Sequence, residues 1–325
     1  MSVPAFQFGD KTIIVRSGFV KTARVHDEAW LESGLDNPKG CLEELRKQKL
    51  KADLFTFAEM PPGEGASYPY HREADSIAVV TLDSFKNWWE GLPQETRKNV
   101  RRSARCGVRI EVKELDDDLV KDLAKLNDSS PIRQGRRYTH YGKSLEQVKK
   151  DHSSFLDRSD FICAYVGDEL VGYVKLVRRG KIASVLNILT NDQHRDKRPA
   201  NALMHAVVER CFEAGFTHLT YGFFHHGNKK DATITLFKVR HGFEEILVPR
   251  YFIPLTLRGK LCLRLGLHRG LIGVLPNSVL VKAVALRAKW YTFSSWLISR
   301  CSSIVKRPNS NRQMGRAIPP AGSNS

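Results

Sequence analysis

FICAYVGDELVGYVKLVRRGKIASVLNILT (161–190) is the stretch whose reading decides the fold. FICAYV is a continuous apolar run, the pattern of a strand buried on both faces. Gly167-Asp168 marks a hairpin turn, and LVGYVKLV (170–177) is the return strand. Arg178-Arg179-Gly180-Lys181 makes a second turn into a third strand, IASVLNIL (182–189).

The segment after it is polar and basic to Arg198 and reads as a loop. Pro199 then opens a helix, where its missing N–H costs nothing. Leu203, Ala206, Val207 and Cys211 recur there at helical spacing, and Gly215 closes it. HLTYGFF (218–224) is a further strand, residues 231–242 a short helix ended by Gly242, and FEEILVPRYFIPL (243–255) is extended. A meander followed by helix, strand, helix and strand predicts an α/β (α+β) fold with helices against a central sheet. The loop 192–198 lies between a strand and a helix N-terminus, where N–H groups and the helix dipole favour an anion such as a pyrophosphate. Arg195, Lys197 and Arg198 add charge; a solvated basic loop is the plainer alternative.

This order resembles the GNAT superfamily of N-acyltransferases. There an Arg-x-x-Gly-x-Gly/Ala loop cradles the pyrophosphate of coenzyme A. Here Arg195 and Ala200 fit the ends of the pattern, while Arg198 stands at its first glycine, where a side chain keeps a phosphate off the backbone. Phe237 stands where the family often carries a tyrosine as acid for the leaving thiolate. The resemblance implies cofactor contacts from Leu189, Thr190, Arg195, Lys197, Arg198, Ala200 and Asn228, although Asn228 also suits a helix cap.

LPQETRKNVRRSARCGVRIEV (92–112), with LFKVRHGF (236–243), is similar to the Fem-type branch of that superfamily. The similarity implies two GNAT-like lobes with mixed central sheets flanked by helices, residues 1–115 and 116–255. A basic amphipathic helical appendix (256–300) and a disordered tail (301–325) would follow. It also implies a place for Lys238 beside the reacting carbonyl, where an ammonium stabilises the developing oxyanion. A helix-surface lysine is the alternative. His225 or His226 could take the proton of an attacking amine, and Tyr221 faces either the cleft or the core.

Arg97, Arg101 and Arg102 share one broad face of the basic helix, with Val100 and Ala104 as its modest apolar side. That face suits the phosphates of an acceptor substrate or of tRNA, or is simply solvated. The loop 129–142 supplies Arg133, Arg137, Tyr138 and Tyr141 as further acceptor contacts. Trp88 and Trp89 read as packing rather than as a stacking platform.

Composition sets the remaining bounds. The 325 residues suffice for two domain-sized lobes, and the six cysteines show no paired spacing and no cysteine–histidine pattern for zinc, so no metal is expected. No bound cofactor is expected either; acyl-CoA or an acyl carrier protein would be a co-substrate. The N-terminus lacks a signal-peptide pattern and no run of about 18 apolar residues occurs, so a cytoplasmic place is expected. Net charge is +17, and no Asp or Glu follows Glu245. The leucine-rich basic stretch 256–300 packs on the core, lies on the anionic inner face of a membrane, or binds nucleic acid.

The expected function is an N-acyltransferase moving an acyl group from a thioester to an amine on an envelope or polysaccharide precursor. An aminoacyl-tRNA-dependent transferase and a non-catalytic GNAT-like binding protein are the alternatives. Oligomeric state is not legible.

Overall fold

In the computed structural model the described residues are 4–9, 11–26, 35, 37–48, 50–59, 68–133, 136–225, 233–270, 282 and 286. The tail 301–325, most of the appendix beyond 270, His226 and Asn228 lie outside them.

The first elements are β1 (Ala5–Phe8), β2 (Lys11–Arg16), β3 (Thr22–Val25), α1 (Pro38–Lys47), β4 (Leu54–Ala58) and β5 (His71–Thr81). Next come α2 (Phe85–Gly91), α3 (Gln94–Arg105), β6 (Val108–Lys113) and α4 (Asp117–Asn127). The loop 129–142 contains a small hairpin, β7 (Ile132–Arg133) and β8 (Arg136–Arg137), before α5 (Leu145–His152). The deciding stretch forms β9 (Ser159–Val166), β10 (Glu169–Arg179) and β11 (Ile182–Thr190), followed by α6 (Pro199–Glu213) and β12 (His218–Phe223). The chain then forms α7 (Thr233–Arg240), β13 (Glu244–Pro254) and α8 (Leu257–Arg264).

Among the described residues, eleven strands make one mixed sheet in the order β1-β2-β3-β4-β13-β5-β12-β11-β10-β9-β6. The two halves therefore share a sheet, and β13 inserts between β4 and β5. The apolar run of β9 has two destinations, because alternate side chains of a strand face opposite ways. Ile162 and Ala164 join Leu203, Val207 and Cys211 of α6 in one core. Phe161, Cys163 and Tyr165 join Leu119, Leu123 and Leu126 of α4 in another. A third core around Phe55, Phe57 and Tyr251 holds α1 to the first half.

Helix α3 packs along α6, and β6 pairs with β9, so the basic helix sits on the second half of the sheet. Its packed face is not the one expected: Thr96 and Ser103 are buried, Val100 is half-buried and Ala104 is exposed. Ser103 is tolerated there because its hydroxyl donates back to the Val100 carbonyl at 2.6 Å. Among the described residues no helix is long and apolar enough to cross a membrane.

Candidate functional site

Strands β11 and β12 pair, in parallel, only from Ile182↔His218 to Ser184↔Thr220. The register of β12 against β5 then shifts between Thr220 and Phe223. Gly222 takes φ +54 inside that shift, a backbone region that only glycine enters freely. The two strands thus part beside Tyr221.

Helix α7 closes one side of the gap. Lys238 is 1% exposed; its Nζ donates to the Phe223 carbonyl at 2.5 Å and lies 4.5 Å from the centre of the Tyr221 ring. One turn earlier Thr235 donates to the Phe224 carbonyl at 3.1 Å. Lys238 is therefore not a surface lysine. Burial pulls its ammonium down to about 8, and burial raises the Tyr221 phenol.

His225 follows at the strand end, its Nε2 3.4 Å from the Glu245 carboxylate on β13. Its Nδ1 is buried with no hydrogen-bond partner among the described residues. On the far side of α7, His241 is buried against Phe237, with Nδ1 2.7 Å from the Phe237 carbonyl and Nε2 3.2 Å from Asn201 Nδ2. Burial brings that imidazole down to about 4. Trp88 donates its indole N–H to the His241 carbonyl at 3.1 Å, so this tryptophan packs rather than stacks on ligand.

Arg198 stands as the residue before α6 with φ +59 and ψ 40. The backbone there is the left-handed one glycine favours, held by an arginine instead. Arg195 and Lys197 belong to the 3-10 turn Asp192–Lys197, and Ala200 lies in the first turn of α6. Lys197 Nζ lies 2.9 Å from His194 Nδ1, and His194 Nε2 lies 3.1 Å from Glu169. The basic loop is thus tied to the start of β10.

Arg133 reaches the end of β11. Its guanidinium donates to the Thr190 carbonyl at 2.9 Å and to Ser129 Oγ at 2.8 Å, and lies 5.0 Å from the Tyr138 ring centre. Tyr138 donates to buried Asn127 Oδ1 at 3.0 Å. These two expected acceptor contacts therefore anchor the hairpin beside Leu189 and Thr190, while Arg137 and Tyr141 are exposed. Arg101 and Arg102 are exposed on α3, and Arg97 is half-buried. Arg101 lies 5.9 Å from the Trp89 ring centre, and Trp89 meets His205 of α6 at 4.9 Å.

Sequence reasoning did not find Thr235, Glu245, Asn201 or His241. Thr235 stands three residues before Lys238, one helical turn, and His241 lies within the quoted stretch 236–243. A separate group, His71, Glu73 and His268, has ligand atoms within 4.8 Å of one another. Arg269 pairs with the same carboxylate at 3.1 Å, so the one acid of the cluster already has a protein cation.

Residues 94–229 match the family profile of the acetyltransferase (GNAT) domain. Residues 94–229 form a GNAT domain, in a chain whose fold is similar to that of FemX. No curated protein sequence matches it at a significant level. The GNAT domain begins at α3 and ends past β12, so it contains the parted strands and the loop before α6. Among solved structures, the C-terminal domain of a putative lysylphosphatidylglycerol synthetase from Agrobacterium fabrum is 14% identical with TM-score 0.56, over 84% of this chain and 90% of that one. The structure of L-PGS from Bacillus licheniformis is 18% identical with TM-score 0.54, over 82% and 87%. FemX is 11% identical with TM-score 0.52, over 80% and 89%. At such identities the likeness is one of fold.

Proposed function

We propose that this GNAT-domain protein is an N-acyltransferase whose reacting carbonyl lies in the gap between β11 and β12, next to Lys238. The observation that carries the reading is the buried ammonium at the strand-parting point. The amine nitrogen attacks the thioester carbonyl carbon, and the carbonyl π electrons move to oxygen. Collapse of that oxyanion re-forms the C=O bond and expels the thiolate, which takes up the proton lost by the amine. Lys238 stabilises the oxyanion, and His225, oriented by Glu245, accepts the amine proton. No covalent enzyme intermediate is needed.

The donor is a thioester of coenzyme A or of a carrier protein, and the acceptor an amine on an envelope or polysaccharide precursor at the inner membrane face. A second reading transfers an aminoacyl group from tRNA. The exposed arginines of α3 favour it.

Thermal-shift titration with coenzyme A, an acyl-CoA and charged tRNA tests both. Stabilisation by acyl-CoA alone supports the first reading, and by charged tRNA alone the second. Response to none of these, nor to an acyl-loaded carrier protein, with the fold intact, removes both and leaves a binding protein.

A further inference from the structure

Helix α8 begins where the sheet ends. It is pinned by Thr256, whose hydroxyl accepts from Gly259 N at 3.0 Å and donates to Asp53 Oδ1 at 2.9 Å. Gly259 and Cys262 are buried against the first half. Leu257, Leu261 and Leu265 point the other way and are 88%, 57% and 60% exposed. Their spacing of four places them in one stripe along the helix. Arg258 borders that stripe on one side, Lys260 and Arg264 on the other, and all three are exposed.

A groove of ≈ 450 Å³ opens at the start of this helix. Lys21, Arg46, Lys51 and Arg258 line it, with Asp53 as its acid. Asp53 is turned inward: Oδ2 accepts from Lys21 N at 3.0 Å while Oδ1 serves Thr256. Arg258 also donates to the Phe19 carbonyl, and Lys21, Arg46 and Lys51 are exposed at the rim.

We propose that this face docks on an anionic phospholipid membrane, the leucine stripe entering the interface and the groove taking a lipid phosphate. The chemistry selects a membrane over nucleic acid. Basic groups serve both partners, but three exposed aliphatic side chains in a row gain free energy only from leaving water for an apolar phase. The cations on either side of the stripe would sit at headgroup depth; no acidic side chain follows Glu245 in the sequence, and Asp53 is the one acid lining the groove. The groove adds residues from the opposite end of the chain, so the docking face is composite. It does not depend on which donor the transferase uses.

The test is co-sedimentation of the full chain with vesicles of phosphatidylcholine alone and with phosphatidylglycerol added, in the absence of donor and acceptor. Binding is expected only to the anionic vesicles. Leu257→Asn, Leu261→Asn and Leu265→Asn together should weaken it by about 100-fold. Arg46→Glu with Lys51→Glu leaves α8 untouched and should weaken it by roughly tenfold at low salt, with a smaller salt dependence. Circular dichroism confirms that each variant is folded. Equal binding to both vesicle types, or vesicle binding unchanged in both variants, overturns the proposal. So does binding to a single-stranded RNA oligomer that matches vesicle binding and ignores the leucine changes. Because no reaction is measured, failure here leaves the transferase reading standing.

Discussion

Lys238 donates its ammonium to the Phe223 carbonyl, so a single side chain ties α7 to the end of β12 where that strand leaves β11. Leaving a backbone carbonyl buried and unmet is costly, and side chains can meet those at a strand end. Thr235 and Lys238 meet two successive ones. The same arrangement holds a cation out of water at the mouth of the gap, where a developing negative charge would feel it most.

The Lys238 proton should be visible in stability. Its folded value is about 8 against an ordinary 10.5. Below pH 8 both states carry the proton, and burial costs the folded state about 3 kcal/mol. Between pH 8 and 10.5 mainly the unfolded chain carries it, so that cost is relieved as pH rises. Urea midpoints should therefore show a contribution that rises from pH 8 to 10, and Lys238→Met should lack it.

In turnover the same group predicts the opposite trend. If the cation stabilises the oxyanion, activity falls as pH rises through about 8. Lys238→Met should lose about 100-fold. Lys238→Arg keeps the charge, and its residual activity should lack the alkaline fall. A Met variant with undiminished turnover removes lysine from the mechanism.

Arg198→Gly restores the residue type its backbone asks for. Relief of the left-handed conformation outweighs or balances the added chain entropy, so stability should stay level or rise by up to about 1 kcal/mol. If the arginine side chain keeps a phosphate off the backbone, coenzyme A should bind more tightly to the glycine variant. Calorimetric titration of both proteins decides this, and equal affinities mean that Arg198 is no barrier.

Two buried histidines should make the fold acid-labile. Burial brings His152 and His241 each down to about 4 from 6.5. Their neutral forms are at no disadvantage above pH 6.5. As pH falls toward 4 the unfolded chain takes protons the folded one refuses, and each site loses about 3 kcal/mol. Chemical denaturation at pH 7, 5.5 and 4.5 should show the fall, and His241→Gln should make it shallower.

Gly259→Ala tests how α8 is held. A Cβ there would stand 2.0 Å from the Asp53 carbonyl oxygen, which is backbone and cannot swing aside. The helix must shift or detach, at a cost of about 2 kcal/mol. The prediction is a lower thermal midpoint and easier proteolysis near α8; an unchanged midpoint would mean that the helix is not seated as described.

The strands and helix from Ser159 to Glu213 were legible because periodicity and turn residues act locally. FICAYV announced burial on both faces, and Pro199 announced a helix start. The acceptor loop was legible as basic and aromatic but not as anchored. Whether Arg133 meets substrate or the Thr190 carbonyl depends on where β11 ends in space, 57 residues on. The packed face of α3 is not legible for a related reason: Ser103 can be buried because its hydroxyl has a partner one turn back.

By itself, the sequence determined the element order, the resemblance to the Fem-type branch and the imbalance of charge after Glu245, all properties of residue type and spacing. The tertiary structure decided the insertion of β13 between β4 and β5, the burial of Lys238 and the joining of Lys21 to Arg258 in one groove. Those depend on long-range strand pairing. A periodic pattern specifies that a face will be covered, while the partner that covers it is chosen by the whole chain at once.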